Sequence, residues 1–136
     1  MQEITMKAVI ESIPAVTDFV DAQLDALDCP MKAQMQINVA IDEIYSNISR
    51  YAYPDSEGDA TVRFEYDPDA REAMICFRDR GIPYNSLKKS DPDVTLPAVE
   101  RAVGGLGIFL VKKLMDRITY EYADGMNVLC IFKKIA

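Results

Sequence analysis

Three stretches of the chain place apolar residues three or four positions apart, which is the spacing of helices that bury one face. The first helix is predicted to begin at Ser12, with the serine as N-cap and a proline in the first turn, and to end before Pro30. The second is predicted over residues 31–52, where isoleucines recur at helical spacing from position 37 to position 48, and the third over residues 105–116.

Shorter stretches alternate apolar and polar residues, or are rich in β-branched and aromatic residues, as β-strands are. They predict five strands, at residues 4–10, 61–66, 73–78, 118–122 and 127–133. The resulting order is β-α-α-β-β-loop-α-β-β, in a single domain covering residues 1–136. Because hairpins follow one another along the chain, this order favours an α+β fold. We expect a two-layer α/β sandwich with a mixed, mostly antiparallel sheet and the helices on one face.

No clear period is found between residues 80 and 103, where Gly, Pro, Asp and Ser are frequent. A segment of 24 residues without regular structure is long for a connection inside a compact domain. Such a segment in a compact domain is usually either functional or mobile.

Charge and composition exclude several classes of protein. The chain has 15 Lys and Arg, 22 Asp and Glu and no His, for a formal net charge of −7. Without histidine there is no Ser-His-Asp triad, histidine metal ligand or phosphohistidine. The acidic balance argues against nucleic-acid and membrane partners. No apolar run approaches the roughly 18 residues that span a bilayer, and MQEITMKAVIES does not resemble a secretory signal, so we expect a cytoplasmic protein.

The three cysteines, Cys29, Cys76 and Cys130, lie far apart in the sequence and form no C-x-x-C motif. Cys76 and Cys130 stand in apolar, strand-like surroundings. Free cysteine is among the most often buried residue types. We therefore expect three buried free thiols, and neither a zinc site nor a redox pair.

The first polar cluster lies on the second helix. Glu43 and Asn47 are four residues apart, so they lie on one flank of the helix, beside its apolar face. They could be residues at the solvent edge or the rim of a pocket. An amide oxygen is an ordinary ligand for a hard cation, and a carboxylate can act as a base toward a hydroxyl or water.

The second cluster is Asp79-Arg80-Gly81, directly after a predicted strand. It could be a simple turn. An aspartate at the end of a buried strand can also accept a hydrogen bond from an amine of a ligand, and a glycine lets a flat ligand approach the backbone.

The third cluster is formed by Gly104, Gly105 and Gly107, where the third helix begins. It could be a flexible junction. Glycines before a helix N-terminus also expose backbone N–H donors that bind anions without a basic side chain. The sequence is neither G-x-G-x-x-G after a strand nor a P-loop.

The order E-x-x-x-N, D-x-G-x-P, a long loop and G-G-x-G resembles the GHKL ATPase superfamily, which has the Bergerat ATP-binding fold. Within that superfamily, DEIYSNISRYAYP, GGLGIFLVKKLMD and DGMNVL are similar to the anti-sigma-factor serine kinase family. The resemblance covers residues 5–134.

The resemblance implies a role for each motif. Asn47 would coordinate Mg²⁺ bridging the phosphates of ATP, and Glu43 would act as general base or orient the attacking hydroxyl. Asp79 would accept a hydrogen bond from the adenine amino group, and Gly81 would line the adenine pocket. One position departs from the family, because Tyr51 stands where members often carry histidine.

The resemblance also implies a phosphate-binding region. Gly105 and Gly107, with help from Gly104, would direct backbone N–H groups to the phosphates. Residues 86–103 would correspond to the ATP lid, and within it Arg101 could reach the γ-phosphate. Arg101 could equally be a surface charge paired with a neighbouring acid.

The activity implied is transfer of the γ-phosphoryl group of ATP to a serine or threonine of an antagonist protein of the STAS type. The same family implies binding of a sigma factor or similar regulator, and a homodimer. One alternative is a non-catalytic ATP-binding module that controls a partner through its lid. Another is an α+β interaction protein whose site has decayed.

Overall fold

The computed structural model describes residues 1–88 and 105–135. Its helices are α1 (Ile13–Ala26), α2 (Met31–Tyr51) and α3 (Gly105–Leu114). Its strands are β1 (Gln2–Lys7), β2 (Asp59–Asp67), β3 (Glu72–Asp79), β4 (Arg117–Ala123) and β5 (Met126–Lys134). The predicted order of elements is confirmed, and most boundaries lie within two residues of those predicted.

The largest difference from the prediction is at the start of the chain. β1 ends at Lys7 and does not extend to residue 10. Lys7 pairs with Asp59, the first residue of β2, so a longer β1 would have no partner strand. Ser12 holds the predicted N-cap position and Pro14 the first turn of α1, but a 3₁₀ turn (Ile10–Ser12) leads directly into the helix. Ser12 therefore has helical φ and ψ and makes no capping hydrogen bond through its side chain.

The strands form one five-stranded sheet in the order β1-β2-β3-β5-β4. Every neighbouring pair in this sheet is antiparallel. α3 connects β3 to β4, and β5 then returns between them, so β3 and β5 become neighbours although they are distant in the sequence. The predicted α+β class is confirmed, with an antiparallel sheet in the described residues.

The core lies between the helices and one face of the sheet. The apolar faces of the three helices pack on alternate residues of the strands. The largest fully buried side chains include Tyr45, Leu24, Ile37, Ile41, Ile108, Ile75, Phe77 and Ile131. No helix within residues 1–88 and 105–135 is both long enough and apolar enough to cross a membrane.

Tyr45 joins α2 to the edge of the sheet. It is fully buried, and its hydroxyl donates a hydrogen bond of 2.7 Å to the carbonyl oxygen of Lys7 at the end of β1. Burial raises the pKa of this phenol to about 12. The hydroxyl therefore remains a donor at neutral pH, and it fixes the position of the helix that carries Glu43 and Asn47.

The prediction of three free thiols is wrong for two of them. Cys76 on β3 is directly opposite Cys130 on β5, and the two form a disulfide with a Cα–Cα distance of 4.1 Å. Strand side chains alternate between faces, and the neighbouring Ile75 and Phe77 belong to the core, so the disulfide lies on the other face of the sheet. The 54-residue separation hides this pairing, because only the return of β5 beside β3 brings the cysteines together. Cys29 remains free.

Reducing this disulfide is expected to lower the free energy of unfolding by about 3–4 kcal/mol, because the cross-link restricts the unfolded chain between two distant positions. Urea unfolding with and without dithiothreitol measures the difference. The variant Cys29→Ser should respond to the reductant as the wild type does, and Cys76→Ser should not respond. An unchanged unfolding midpoint, in protein whose thiol count confirms reduction, would contradict the prediction.

Candidate functional site

A cavity opens between α2 and the ends of β3, β4 and β5 that lie beside it. Its walls are mostly apolar, with side chains such as Ile48, Phe77 and Leu129. Asn47 and Asp79, which the sequence assigned to separate clusters, both line it. This combination of apolar walls and a few polar groups is typical of a small-molecule site.

Asp79 is the last residue of β3, and it is 4% exposed. Its Oδ1 accepts hydrogen bonds from the backbone N–H of Gly81, at 2.9 Å, and from Nδ2 of Asn127, also at 2.9 Å. Burial raises the pKa of this carboxyl group, and the two hydrogen bonds oppose the rise. Both bonds end on Oδ1, and Oδ2 has no hydrogen-bond partner among the described residues.

Gly81 is required by the packing of two backbone segments. A Cβ at this position would lie 2.2 Å from the carbonyl oxygen of Ala52, at the end of α2. That carbonyl also accepts a hydrogen bond of 2.9 Å from the N–H of Ile82. The glycine therefore brings the end of β3 against the end of α2, and its contact with a ligand remains a prediction.

Asn127 is a site residue that the sequence reasoning missed. It is 6% exposed, and its Nδ2 donates to Asp79 and, at 2.8 Å, to the carbonyl oxygen of Ile82. Its Oδ1 accepts from the backbone N–H of Tyr84 at 3.1 Å and from the hydroxyl of Tyr120. A signal was available in the alternation of β5, because Asn127 shares a face with the core residues Leu129 and Ile131.

Glu43 lies one turn before Asn47 on α2 and faces the first turn of α3. A Cβ added to Gly107 would lie 2.2 Å from Oε2 of Glu43, so the carboxylate occupies the space that this glycine leaves open. Gly105 is the first residue of α3. The structure thus brings Glu43 against the first turn of α3, where N–H groups have no acceptor within the helix and the helix end has a partial positive charge.

The wall of the cavity includes a pair of aromatic rings. The rings of Tyr51 and Tyr84 stack with their centroids 5.3 Å apart and an interplanar angle of 29°. Tyr51 stands at the end of α2, at the position where the resembled family often has histidine. Its ring forms part of the cavity surface.

Two predicted site residues, Arg101 and Gly104, lie outside the described residues, as does the part of the predicted lid from residue 89 to residue 103. Residues 1–88 and 105–135 contain no group of three His, Cys, Asp or Glu side chains that could hold a metal ion.

Two comparisons with known proteins bear on this site. The family profile described as "Histidine kinase-like ATPase domain" matches residues 6–133. The chain is also 34% and 35% identical, over 95 residues each, to proteins named serine-protein kinase RsbW from Bacillus cereus strains ATCC 10987 / NRS 248 and B4264. A protein of the same name from Bacillus mycoides (strain KBAB4) is 35% identical over 97 residues. Each alignment covers 68% of this chain and 59% of the relative, so the chain matches about three fifths of the length of these relatives.

Proposed function

The chain belongs to the histidine kinase-like ATPase domain family, and on that premise we propose that the cavity binds ATP and that the protein is a serine/threonine protein kinase. The observation that carries the proposal is the juxtaposition of Asp79 and Asn47 in one cavity, with Glu43 and the N-terminus of α3 beside it. The similarity to proteins named serine-protein kinase supports the choice of acceptor.

The Asp79 end of the cavity is proposed to bind adenine. Oδ2 of Asp79 would accept a hydrogen bond from the exocyclic amine, and the apolar side chains and the Tyr51–Tyr84 pair would contact the faces of the base. A hydrogen bond in this apolar cavity is stronger than one exposed to water, and it has a direction. Asp79 would therefore contribute both affinity and specificity.

The other end of the site is proposed to bind the phosphates. The backbone N–H groups of Gly105 and Gly107 in the first turn of α3 would donate to phosphate oxygens, with Gly104 assisting. The carboxamide of Asn47 suits Mg²⁺, a hard cation that is usually held by one or two protein oxygens together with phosphates and water. When bound, Mg²⁺ would neutralise phosphate charge and orient the γ-phosphate. An acidic chain can bind ATP in this way, because backbone dipoles and a cation replace a basic patch.

Glu43 is proposed as the general base. Its carboxylate would accept the proton of the serine or threonine hydroxyl as that oxygen bonds to the γ-phosphorus, and the bond from phosphorus to the β,γ-bridging oxygen breaks to release ADP. Arg101 would stabilise charge on the transferring group. With no histidine in the chain, Glu43 is the strongest candidate for the base.

The proposed partners follow from the resemblance to the anti-sigma-factor serine kinase family. The phosphoryl acceptor would be an antagonist protein of the STAS type, and the second partner a sigma factor or similar regulator. We propose that the protein acts as a cytoplasmic homodimer, without direct contact to nucleic acid or membrane.

The proposal is tested by combining nucleotide binding with transfer of label. The melting temperature of the purified chain should rise with millimolar ATP and Mg²⁺, and γ-labelled ATP should label a STAS-type protein from the same genome. Strong stabilisation without labelled protein or ADP after long incubation would favour the non-catalytic binding module. No stabilisation by ATP with Mg²⁺ would overturn the proposal and favour a decayed site.

A further inference from the structure

Asn127 is hydrogen-bonded to the one carboxylate that lines the described cavity, Asp79. Its amide is saturated in both directions: Nδ2 donates to Asp79 and to the Ile82 carbonyl, and Oδ1 accepts from the Tyr84 backbone and the Tyr120 hydroxyl. Donors on the Oδ1 side and acceptors on the Nδ2 side determine which way the amide points. The orientation of Asn127 therefore does not depend on a bound ligand.

Because this amide is fixed, the two oxygens of Asp79 have different roles: Oδ1 is bound within the protein, and Oδ2 is left for a ligand. Oδ1 accepts from Asn127 and Gly81, both at 2.9 Å, and is occupied. A proton on Asp79 would therefore reside on Oδ2, the oxygen that remains for a ligand. When ionised, Asp79 offers an acceptor, which suits the 6-amino group of adenine. When protonated, it offers a donor, which suits the 6-oxo group of guanine or hypoxanthine.

We infer that Asn127 is a positioning residue that makes the cavity select 6-aminopurine over 6-oxopurine nucleotides, by donating to Oδ1 of Asp79 and so keeping Oδ2 an acceptor. This inference rests on the proposed function, because it requires that the cavity binds a purine nucleotide. It goes beyond that function in assigning the choice of base to a second residue, on a different strand.

Among the titratable groups around Asp79, this carboxyl group is the one whose protonation changes below pH 9. Tyr120 approaches from β4 and Tyr53 from the end of α2, and burial raises the pKa of both phenols above the ordinary value. Both are therefore neutral below pH 9. Arg80, the next residue in the chain, is exposed to solvent. From β5 the facing group is Asn127, and on α2 the amide side chain that lines the same cavity is Asn47; neither titrates.

The sign of the pH dependence follows from these contacts. Burial raises the pKa of Asp79, and the hydrogen bond from Asn127 lowers it by favouring the charged form. The preference for a 6-amino group should be present at high pH and be lost as the pH falls through the pKa of Asp79. Removing the Asn127 donor should move that loss to higher pH.

The test compares the affinities for ATP and inosine triphosphate (ITP), which differ at position 6 of the purine. Their ratio cancels the titration of the phosphates, which both nucleotides share.

In Asn127→Asp the new carboxylate can still accept from Tyr84 and Tyr120, but it cannot donate to ionised Asp79, and it adds a like charge. At pH 7.5 the ATP:ITP affinity ratio should fall about tenfold or more, and the midpoint of its loss should move to higher pH. Asn127→Leu should lower the ratio as well.

Val128→Thr is the matched control, since it is a change of similar size at the next residue of β5, whose side chain lies on the other face of the sheet. Its ratio and midpoint should equal those of the wild type. A purely structural role of Asn127 would weaken both nucleotides equally, so an unchanged ratio and midpoint in a folded Asn127→Asp or Asn127→Leu protein would overturn the inference alone. A wild type that binds neither nucleotide would overturn the proposed function and the inference together.

Discussion

Replacing Glu43 with glutamine is expected to reduce phosphoryl transfer by about 100- to 10,000-fold, which is the usual range for loss of a general base. Glutamine keeps the size and the hydrogen-bonding reach of the side chain but cannot take a proton. The affinity for ATP should change by less than about threefold, because Glu43 lies beside α3 and does not line the cavity that holds Asp79. Single-turnover transfer from γ-labelled ATP measures the rate, and calorimetric titration measures the affinity.

The matched control is Asp42→Asn, which removes the same charge from the adjacent, exposed position of α2. It should transfer phosphate at the wild-type rate. A wild-type rate in Glu43→Gln would show that the assigned base is wrong. Equal losses in both variants would instead show that the rate depends on the charge of this part of α2 and not on proton transfer.

Gly107→Ala tests the same carboxylate from the opposite side. The added Cβ would lie 2.2 Å from Oε2 of Glu43, so the end of the glutamate side chain must move away. Alanine is favoured over glycine within a helix, so α3 itself should tolerate the change. The expected result is slower transfer with little loss of stability. Since both changes act through one group, combining Gly107→Ala with Glu43→Gln should add little to the loss in Glu43→Gln alone.

The parts of the site that lie on one helix could be predicted from the sequence. Helical spacing placed Glu43 and Asn47 on one flank of α2, beside a face that is buried in the structure. The position of Asp79 at the end of a buried strand was equally local information. Their assembly into one cavity was not local, and it was expected only because the order of motifs resembles a known superfamily.

The features that the sequence did not predict depend on the register of distant strands. Asn127 faces Asp79, and Cys76 faces Cys130, because β5 pairs with β3 across an intervening helix and strand. Neither pair is marked by spacing in the chain, since a shift of one residue in register would separate both. The sequence indicates that β5 is a strand, but not which strand it joins.

The distribution of buried charge argues for a ligand at Asp79. It is the buried acidic residue of the described core, where the other buried polar side chains are Ser12, Ser86 and Asn127. Burying a carboxylate costs free energy, and its raised pKa is a measure of that cost. A buried carboxylate oxygen without a hydrogen-bond partner does not stabilise the fold, but it can accept a hydrogen bond from a ligand. Perturbed carboxyl groups in cavities are for this reason candidates for function.

Asp79→Asn is therefore expected to separate binding from stability. The amide can still accept from Gly81 and Asn127 at one end, but it presents a donor to the cavity where the carboxylate presents an acceptor. Affinity for ATP should fall about 100-fold or more, because an acceptor becomes a donor facing the amine. Affinity for ITP should rise, because the amide donor now faces the 6-oxo group, so the variant should bind ITP more tightly than ATP. Calorimetric titration with both nucleotides measures the change, and unchanged ATP affinity would show that Asp79 does not contact the base.

The same variant should change how stability depends on pH. Because the pKa of Asp79 is raised in the folded chain, this group holds its proton more tightly in the folded than in the unfolded state. Its contribution to the free energy of unfolding therefore falls as pH rises from the ordinary carboxyl pKa through the raised value. Asp79→Asn removes that fall, so its stability relative to the wild type should increase across this window and stay constant above it.

Urea unfolding between pH 4 and pH 8 measures the difference, with the exposed Asp18→Asn on α1 as the control that should follow the wild type. A relative stability that does not change with pH would contradict the burial of an ionised carboxylate. If Asp79→Asn is both more stable and unable to bind ATP, then the wild-type carboxylate lowers the stability of the fold and is needed to bind the nucleotide. The free-energy cost of burying Asp79 is then explained by ligand binding.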